Sequence, residues 1–426
     1  MPQENLKFCK KLAFPARVIE IDRGLTLIHQ QMKATPVVVA DIWVKAGSRA
    51  EPKEWTGMAH FLEHAIFKGS DRVGVGVFDR AIEYNGGNSN AATSHDYAHF
   101  YLTTAAPYLK DTLPLLADIL LQPSIAPAEF EREKDVIIEE ILASQDDPDG
   151  VGYEILCQMM FQKHPYGRSI LGEANNILQY SPEMMRSFHQ THYQPENITV
   201  AIVGGLEAEQ AIELVTESFS QFNNHSVKCP PPHYEAQQPL DEVRRQKIAL
   251  PRIEEARLLM GWVGPGIDRL EDAIALDALS VILTGGMGSR LVRELREEKN
   301  LVFDIDSDFS LQKDLSLFTI SAWLEPNKLE IVEKIICDRI LELQNNLVKE
   351  SELVRCQRLL RNDFFFSTET PYQLASLYGY YHTIASAELS ITYPDYLDRL
   401  TTSQLQKIAN NYLCLSSYGI VAIEPR

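Results

Sequence analysis

The feature that most constrains this chain is a repeat of its own pattern at half its length. Trp43 and Trp262, Gly47 and Gly266, and Pro107 and Pro326 are each 219 positions apart in a chain of 426 residues. Around these anchors the same order of elements recurs. VVVADIWVKAG (37–47) and ARLLMGWVGPG (256–266) each read as a strand running into a glycine turn. HDYAHFYLTTAAP and LSLFTISAWLEP each read as a strand ending at the matched proline, and amphipathic helices follow at about Tyr108–Leu121 and Lys328–Leu343. A shift of half the chain points to internal duplication. The expected fold is α+β: two homologous domains, each an antiparallel-rich sheet with helices packed on it, enclosing a peptide-binding cleft. The run NNHSVKCPPPHYEAQQPLDE interrupts the pattern and reads as a linker. The expected division is 1–223, a linker at 224–241, and 242–426.

The duplication sharpens one stretch, MAHFLEHAIF (58–67). On a helix, His60 and His64 stand one turn apart on the same face, so two imidazoles can converge on one ion. Glu63 is placed to stand beside that ion and take a proton from water. A catalytic zinc takes three protein ligands, so the chain must supply a third. The best source is the carboxylate-rich helix EFEREKDVIIEEIL (129–142), where Glu133 and Glu140 lie on one face two turns apart; either can reach the histidines. At the 219-residue shift, His60, Glu63 and His64 fall on Leu279, Ile282 and Leu283. One copy is expected to carry polar chemistry and the other apolar packing.

Composition sets the limits. A formal charge of -19 argues against broad attraction to nucleic acid or anionic lipid. No apolar run reaches the roughly 18 residues of a membrane span, and the N-terminus lacks a secretory pattern. The six cysteines have no CxxC spacing and read as reduced thiols of a cytoplasmic protein.

HFLEH followed by FKGS resembles the inverted zinc signature of the pitrilysin family of metallopeptidases, including its processing-peptidase and bacterial two-subunit types. GGNSNAATSHDYAHFYL, EREKDVIIEEI, HPYGRSILG and GGMGSRLVRELREEKNL resemble further family segments, so the similarity covers most of the chain. The resemblance implies one Zn2+ held by His60, His64 and Glu140, with Glu63 as general base and Glu133 orienting a histidine. It implies that Asn90 and Ala91 lie on an edge strand that takes up substrate, and that Arg296 helps hold the substrate carbonyl. Active members pair that arginine with a tyrosine seven residues on, where this chain has Phe303. Some members divide the two sets between homologous subunits. The expectation is therefore a zinc endopeptidase acting on extended peptides or presequences, the zinc-bearing subunit of a heterodimer, with a homodimer as the other arrangement. The rival readings are a non-catalytic structural subunit and a peptide-binding protein of the same fold.

Weaker signals read as structural. His95 and His99 belong to a strand-face pattern with Tyr97 and Tyr101, His189 and His192 are polar groups near a helix end, and LTGGMGSRL reads as a helix entry or mobile glycine segment near the cleft. KFCKK and QDDPDG read as solvated surface.

Overall fold

The structure is a computed structural model, and it describes residues 13–220, 222, 234, 237, 240–251 and 253–426. Of the expected linker only residues 234, 237, 240 and 241 are among these. The rest of it, with KFCKK, lies outside the described residues.

Among the described residues eleven strands form two sheets: β1 Arg17–Glu20, β2 Thr26–Gln31, β3 Val37–Val44, β4 Asn88–Thr93, β5 Ala98–Ala105 and β6 Ile198–Gly204 in the first half, and β7 Arg244–Leu250, β8 Ala256–Pro265, β9 Asp304–Leu311, β10 Leu315–Leu324 and β11 Gly419–Pro425 in the second. The first sheet has the order β1-β2-β6-β3-β5-β4 and the second β7-β11-β8-β10-β9. Apart from β1, the two orders are the same, with one parallel pair (β2 with β6, β7 with β11) and the remaining pairs antiparallel. The repeat even preserves register: Trp43 faces His99 across β3 and β5, and Trp262 faces Phe318 across β8 and β10. This is the two-domain α+β architecture expected from the 219-residue shift.

The central strands β3 and β8 are buried almost throughout, which their near-continuous apolar runs require. On one face, each sheet packs against helices of its own half. The helix Met58–Ile66 lies over the first sheet, and Leu270–Thr284 lies over the second. Leu279, Ile282 and Leu283 are buried in the second core, so the apolar counterparts of the histidine motif serve packing.

The other faces are covered by exchange. Helix Pro371–Ile384, from the second half, packs on β3 and β6, where Leu374, Ala375 and Tyr378 bury against Ile28, Val39, Ala201 and Val203. Helix Pro148–Met160, from the first half, packs on β8 and β11, where Leu156 and Met160 bury against Leu259, Val421 and Ile423. The approach is close. A Cβ on Gly379 would fall 2.1 Å from Nε1 of Trp43, and one on Gly261 would fall 2.8 Å from Cδ2 of Leu156.

The structure resolves the weaker signals. His95 lies in the turn before β5, its Nδ1 2.7 Å from Ser48 Oγ. His99 is on β5, its Nδ1 3.0 Å from Oδ1 of the buried Asp41, whose Oδ2 accepts from Ser376 Oγ at 3.0 Å. Those two hydrogen bonds offset the cost of burying a carboxylate in the middle of β3. Tyr101 packs against Tyr372 with its ring tilted, so this strand face is closed by the exchanged helix and is not an open groove. The GGMGS segment follows helix Leu270–Thr284 and enters a π-helical turn at Val292–Glu298.

Candidate metal centre

The helix Met58–Ile66 starts without a side-chain cap from Thr56 or Gly57. Its orphan amides are met from a distance by the buried Glu51, whose Oε2 accepts from Gly57 N–H at 3.1 Å and Oε1 from Ala59 N–H at 2.8 Å. The loop HPYGRSILG closes on the same end. Tyr180 OH donates to Thr56 O, and a Cβ on Gly57, at φ 89°, would lie 2.5 Å from Leu171 O. The first turn of the motif helix is thus fixed in position before any metal is considered.

One turn apart on this helix, the His60 and His64 rings lie edge to face with centroids 4.8 Å apart. The carboxylate that meets them comes from helix Pro127–Ser144. Glu140 Oε2 is 3.7 Å from His60 Nε2 and 3.6 Å from His64 Nε2. Of the two carboxylates that the spacing alone left open, Glu140 reaches both Nε2 atoms. Glu133 instead lies behind His64, its Oε1 2.9 Å from Nδ1, while its Oε2 holds the Lys68 ammonium at 2.7 Å. Nδ1 facing a carboxylate turns Nε2 toward Glu140.

The donor set fits a zinc ion. Two imidazole nitrogens and one carboxylate oxygen lie within 4.8 Å of one another. A tetrahedral ion with bonds of about 2.0–2.2 Å spaces its ligand atoms by about 3.4 Å, close to the two separations from Glu140. Burial, then the neighbouring His64, pushes the His60 imidazole down to about 4, so it is neutral and able to coordinate at pH 7. Burial opposes a charge on His64 as well, but the Glu133 hydrogen bond and the charges of Glu63 and Glu140 outweigh it and raise its pKa.

Glu63, on the same helix, is held from β4. Thr93 Oγ1, at the end of that strand, donates to Glu63 Oε2 at 2.5 Å. Burial holds the Glu63 carboxyl above its ordinary range despite that hydrogen bond, which makes it a better proton acceptor than a free glutamate. Asn90 and Ala91 lie on the same strand, the outer strand of the first sheet, where Ala91 N–H donates to Asn90 Oδ1. The edge that would take an added strand therefore ends at the residue that holds the candidate base.

Arg296 is not brought to this cluster. Its guanidinium is tied to Asp304 Oδ1 and Glu297 Oε1, each at 2.9 Å, and Phe303, seven residues on, stands half exposed just before β9.

Two models of one family match successive stretches of the chain. The model described as "Insulinase (Peptidase family M16)" matches residues 26–174, and "Peptidase M16 inactive domain" matches residues 179–360. The chain belongs to the M16, or pitrilysin, family of peptidases. It is similar to the zinc protease PqqE of Helicobacter pylori, 28% identical over 96% of this chain and 92% of the relative. It is 27% identical to an Arabidopsis thaliana protein named "Probable mitochondrial-processing peptidase subunit beta, mitochondrial", over 96% of this chain and 78% of that one. A protease of known crystal structure from Helicobacter pylori superposes with a TM-score of 0.91, at 26% identity, covering 96% of this chain and 99% of that one. No described helix of this M16 chain is long and apolar enough to cross a membrane.

Three residues that support this cluster escape a reading of the sequence: Glu51, Lys68 and Thr93. Lys68 stands in the quoted FKGS and Thr93 in the quoted NAATSHDY, so both lie within segments that carry the resemblance. Their roles depend on distances across the fold that spacing does not encode.

Proposed function

We propose that this chain is a zinc-dependent endopeptidase of extended peptides or presequences. The observation that carries this reading is the convergence of His60, His64 and Glu140 with a separately held Glu63 beside an edge strand. A zinc ion held by the three would supply Lewis acidity to the scissile carbonyl and lower the pKa of the attacking water. Glu63 takes the proton of that water and returns it to the leaving amine, and Thr93 keeps the carboxylate turned toward the site. Glu133 fixes the His64 ring. The Asn90–Ala91 strand aligns the peptide by main-chain hydrogen bonds, and Arg296 engages the substrate after leaving its carboxylate partners.

Phe303 supports a two-subunit arrangement. It offers no hydroxyl where active relatives of the family carry a tyrosine, and losing one such donor costs about 2.7–4 kcal/mol. The missing group is then supplied by a homologous subunit that bears the arginine-tyrosine pair. The four cysteines among the described residues, Cys157, Cys337, Cys356 and Cys414, are free thiols, which supports a reducing, cytoplasmic setting.

The test is Glu63→Gln. Zinc content measured by atomic absorption should be unchanged while peptide hydrolysis falls by about 10²–10⁴-fold. Equal turnover by the variant sinks the mechanism, and no turnover by the zinc-loaded wild type, alone or with the second subunit, favours a binding or structural role. Adding the arginine-tyrosine subunit to the wild-type chain should raise turnover by about 10²–10³-fold. If the chain alone is as fast as the mixture, the two-subunit reading fails and the peptidase reading stands.

A further inference from the structure

A cavity of about 600 Å³ opens where the two halves meet, and no residue of the histidine cluster lines it. Four cationic side chains line it, Lys45, Arg49, Arg168 and Lys313, against two carboxylates, Glu51 and Asp96. Both carboxylates are already engaged. Glu51 caps the motif helix, while Asp96 accepts from Arg49 at 3.1 Å, from Tyr166 OH at 2.9 Å and from the Lys313 backbone N–H at 2.9 Å. Arg49 also holds Asp314 at 2.6 Å, and Arg168 donates to Glu51 O at 3.1 Å.

What is left over is a pair of lysines, one from each half. Neither the Lys45 nor the Lys313 ammonium has a hydrogen-bond or ion-pair partner among the described residues. Burial, then the charge of Lys313, holds the Lys45 amine below the ordinary lysine range. Solvated surface lysines do not behave in this way, because water and salt would screen them. A partly buried ammonium beside a second one, with no counter-charge for either, is costly, and a chain of net charge -19 has carboxylates to spare. The repeated fold does not dictate them either. At the 219-residue shift, Lys45 corresponds to Gly264 and Lys313 to Ser94.

We propose that this cavity is an oxyanion-binding site in which Lys45 and Lys313 hold one sulfate-, phosphate- or carboxylate-bearing ligand across the junction of the halves. The ligand neutralises two like charges drawn from different halves, so it stabilises their association. The site stands apart from the peptidase reading and does not depend on it.

The test is thermal unfolding of the full chain at fixed ionic strength, with sodium sulfate exchanged against sodium chloride. In parallel, a short N-acetylated peptide is compared as its free acid and its amide, to separate a free oxyanion from a peptide carboxylate. A ligand at about ten times its Kd should raise Tm by roughly 2 °C. A rise with sulfate assigns a free oxyanion; a rise only with the peptide acid assigns a peptide carboxylate. Lys45→Ala and Lys313→Ala should each abolish the rise, and each should melt no lower than wild type in chloride, because the repulsion is relieved. The proposal is overturned if neither sulfate nor the peptide acid moves the wild-type Tm beyond its control, or if both variants keep the increment.

Discussion

Glu133 shows how one residue sets the chemistry of another without touching a substrate. Its carboxylate is shared between His64 Nδ1 and Lys68 Nζ, so it fixes a ring whose other nitrogen faces Glu140. Glu133→Ala should weaken zinc affinity by about 10–100-fold, read by competition with a chromogenic chelator. Unchanged affinity would remove Glu133 from the site. A second residue-scale prediction concerns acid stability. His189 is buried, with Nε2 2.8 Å from Leu120 O, and burial pushes its imidazole down to about 4. An unfolded histidine titrates near 6.5, so as pH falls from there toward 4 the unfolded chain binds a proton that the folded chain refuses. Stability is therefore lost on acidification through that window, by up to roughly 3 kcal/mol from this one group. His189→Gln should flatten the fall of unfolding free energy between those pH values relative to wild type; parallel acid limbs would refute the assignment. At this scale the histidine pair was legible because its geometry is local to one helix. Glu140 followed from the resemblance rather than from spacing, and Thr93 was invisible because its role depends on where β4 ends relative to Glu63.

The motif helix is the element on which the site depends, and its start is unusual. Local rules look for a Ser, Thr or Asp at its N-cap, whereas the cap here is Glu51, reaching from before the 3₁₀ turn Lys53–Trp55. Removing that carboxylate leaves two buried N–H groups unsatisfied, each worth about 1–3 kcal/mol. Glu51→Ala should therefore lower stability by roughly 2–4 kcal/mol in urea unfolding. Glu51→Gln, which keeps one acceptor oxygen but sets an NH2 against the other N–H, should recover no more than about half of the loss. A Glu51→Ala chain within 0.5 kcal/mol of wild type, about the spread of a neutral surface substitution, would show that water caps the helix instead. The strands and long helices were legible at this scale because their periodicity is strong and the proline and glycine anchors repeat. The cap was not, since a carboxylate six residues ahead of a helix matches no short-range pattern.

The internal repeat foretold two sheets of the same topology, but not that the halves would exchange helices. An amphipathic pattern shows which face of a helix is buried but not which sheet it covers, so nothing in Pro371–Ile384 or Pro148–Met160 announces a partner in the other half. The exchange has an energetic consequence. Each exchanged helix buries several apolar side chains against the other half's sheet, and a fully buried Leu, Ile or Met contributes about 1.5–3 kcal/mol. The sum for one helix is roughly 5–10 kcal/mol, comparable to the whole stability of a typical domain. Fragments 1–223 and 242–426 would each expose one sheet face that includes Val39, Ala201 and Val203 in one case and Leu259, Val421 and Ile423 in the other. Neither should melt cooperatively when produced alone, and both should associate on surfaces that invite aggregation. Co-expressed, they should recover a complex with a single cooperative transition and the zinc content of the intact chain. A cooperative melt of either fragment by itself, followed by far-UV circular dichroism, would mean that the sheet can do without its borrowed helix and that the halves are independent domains after all.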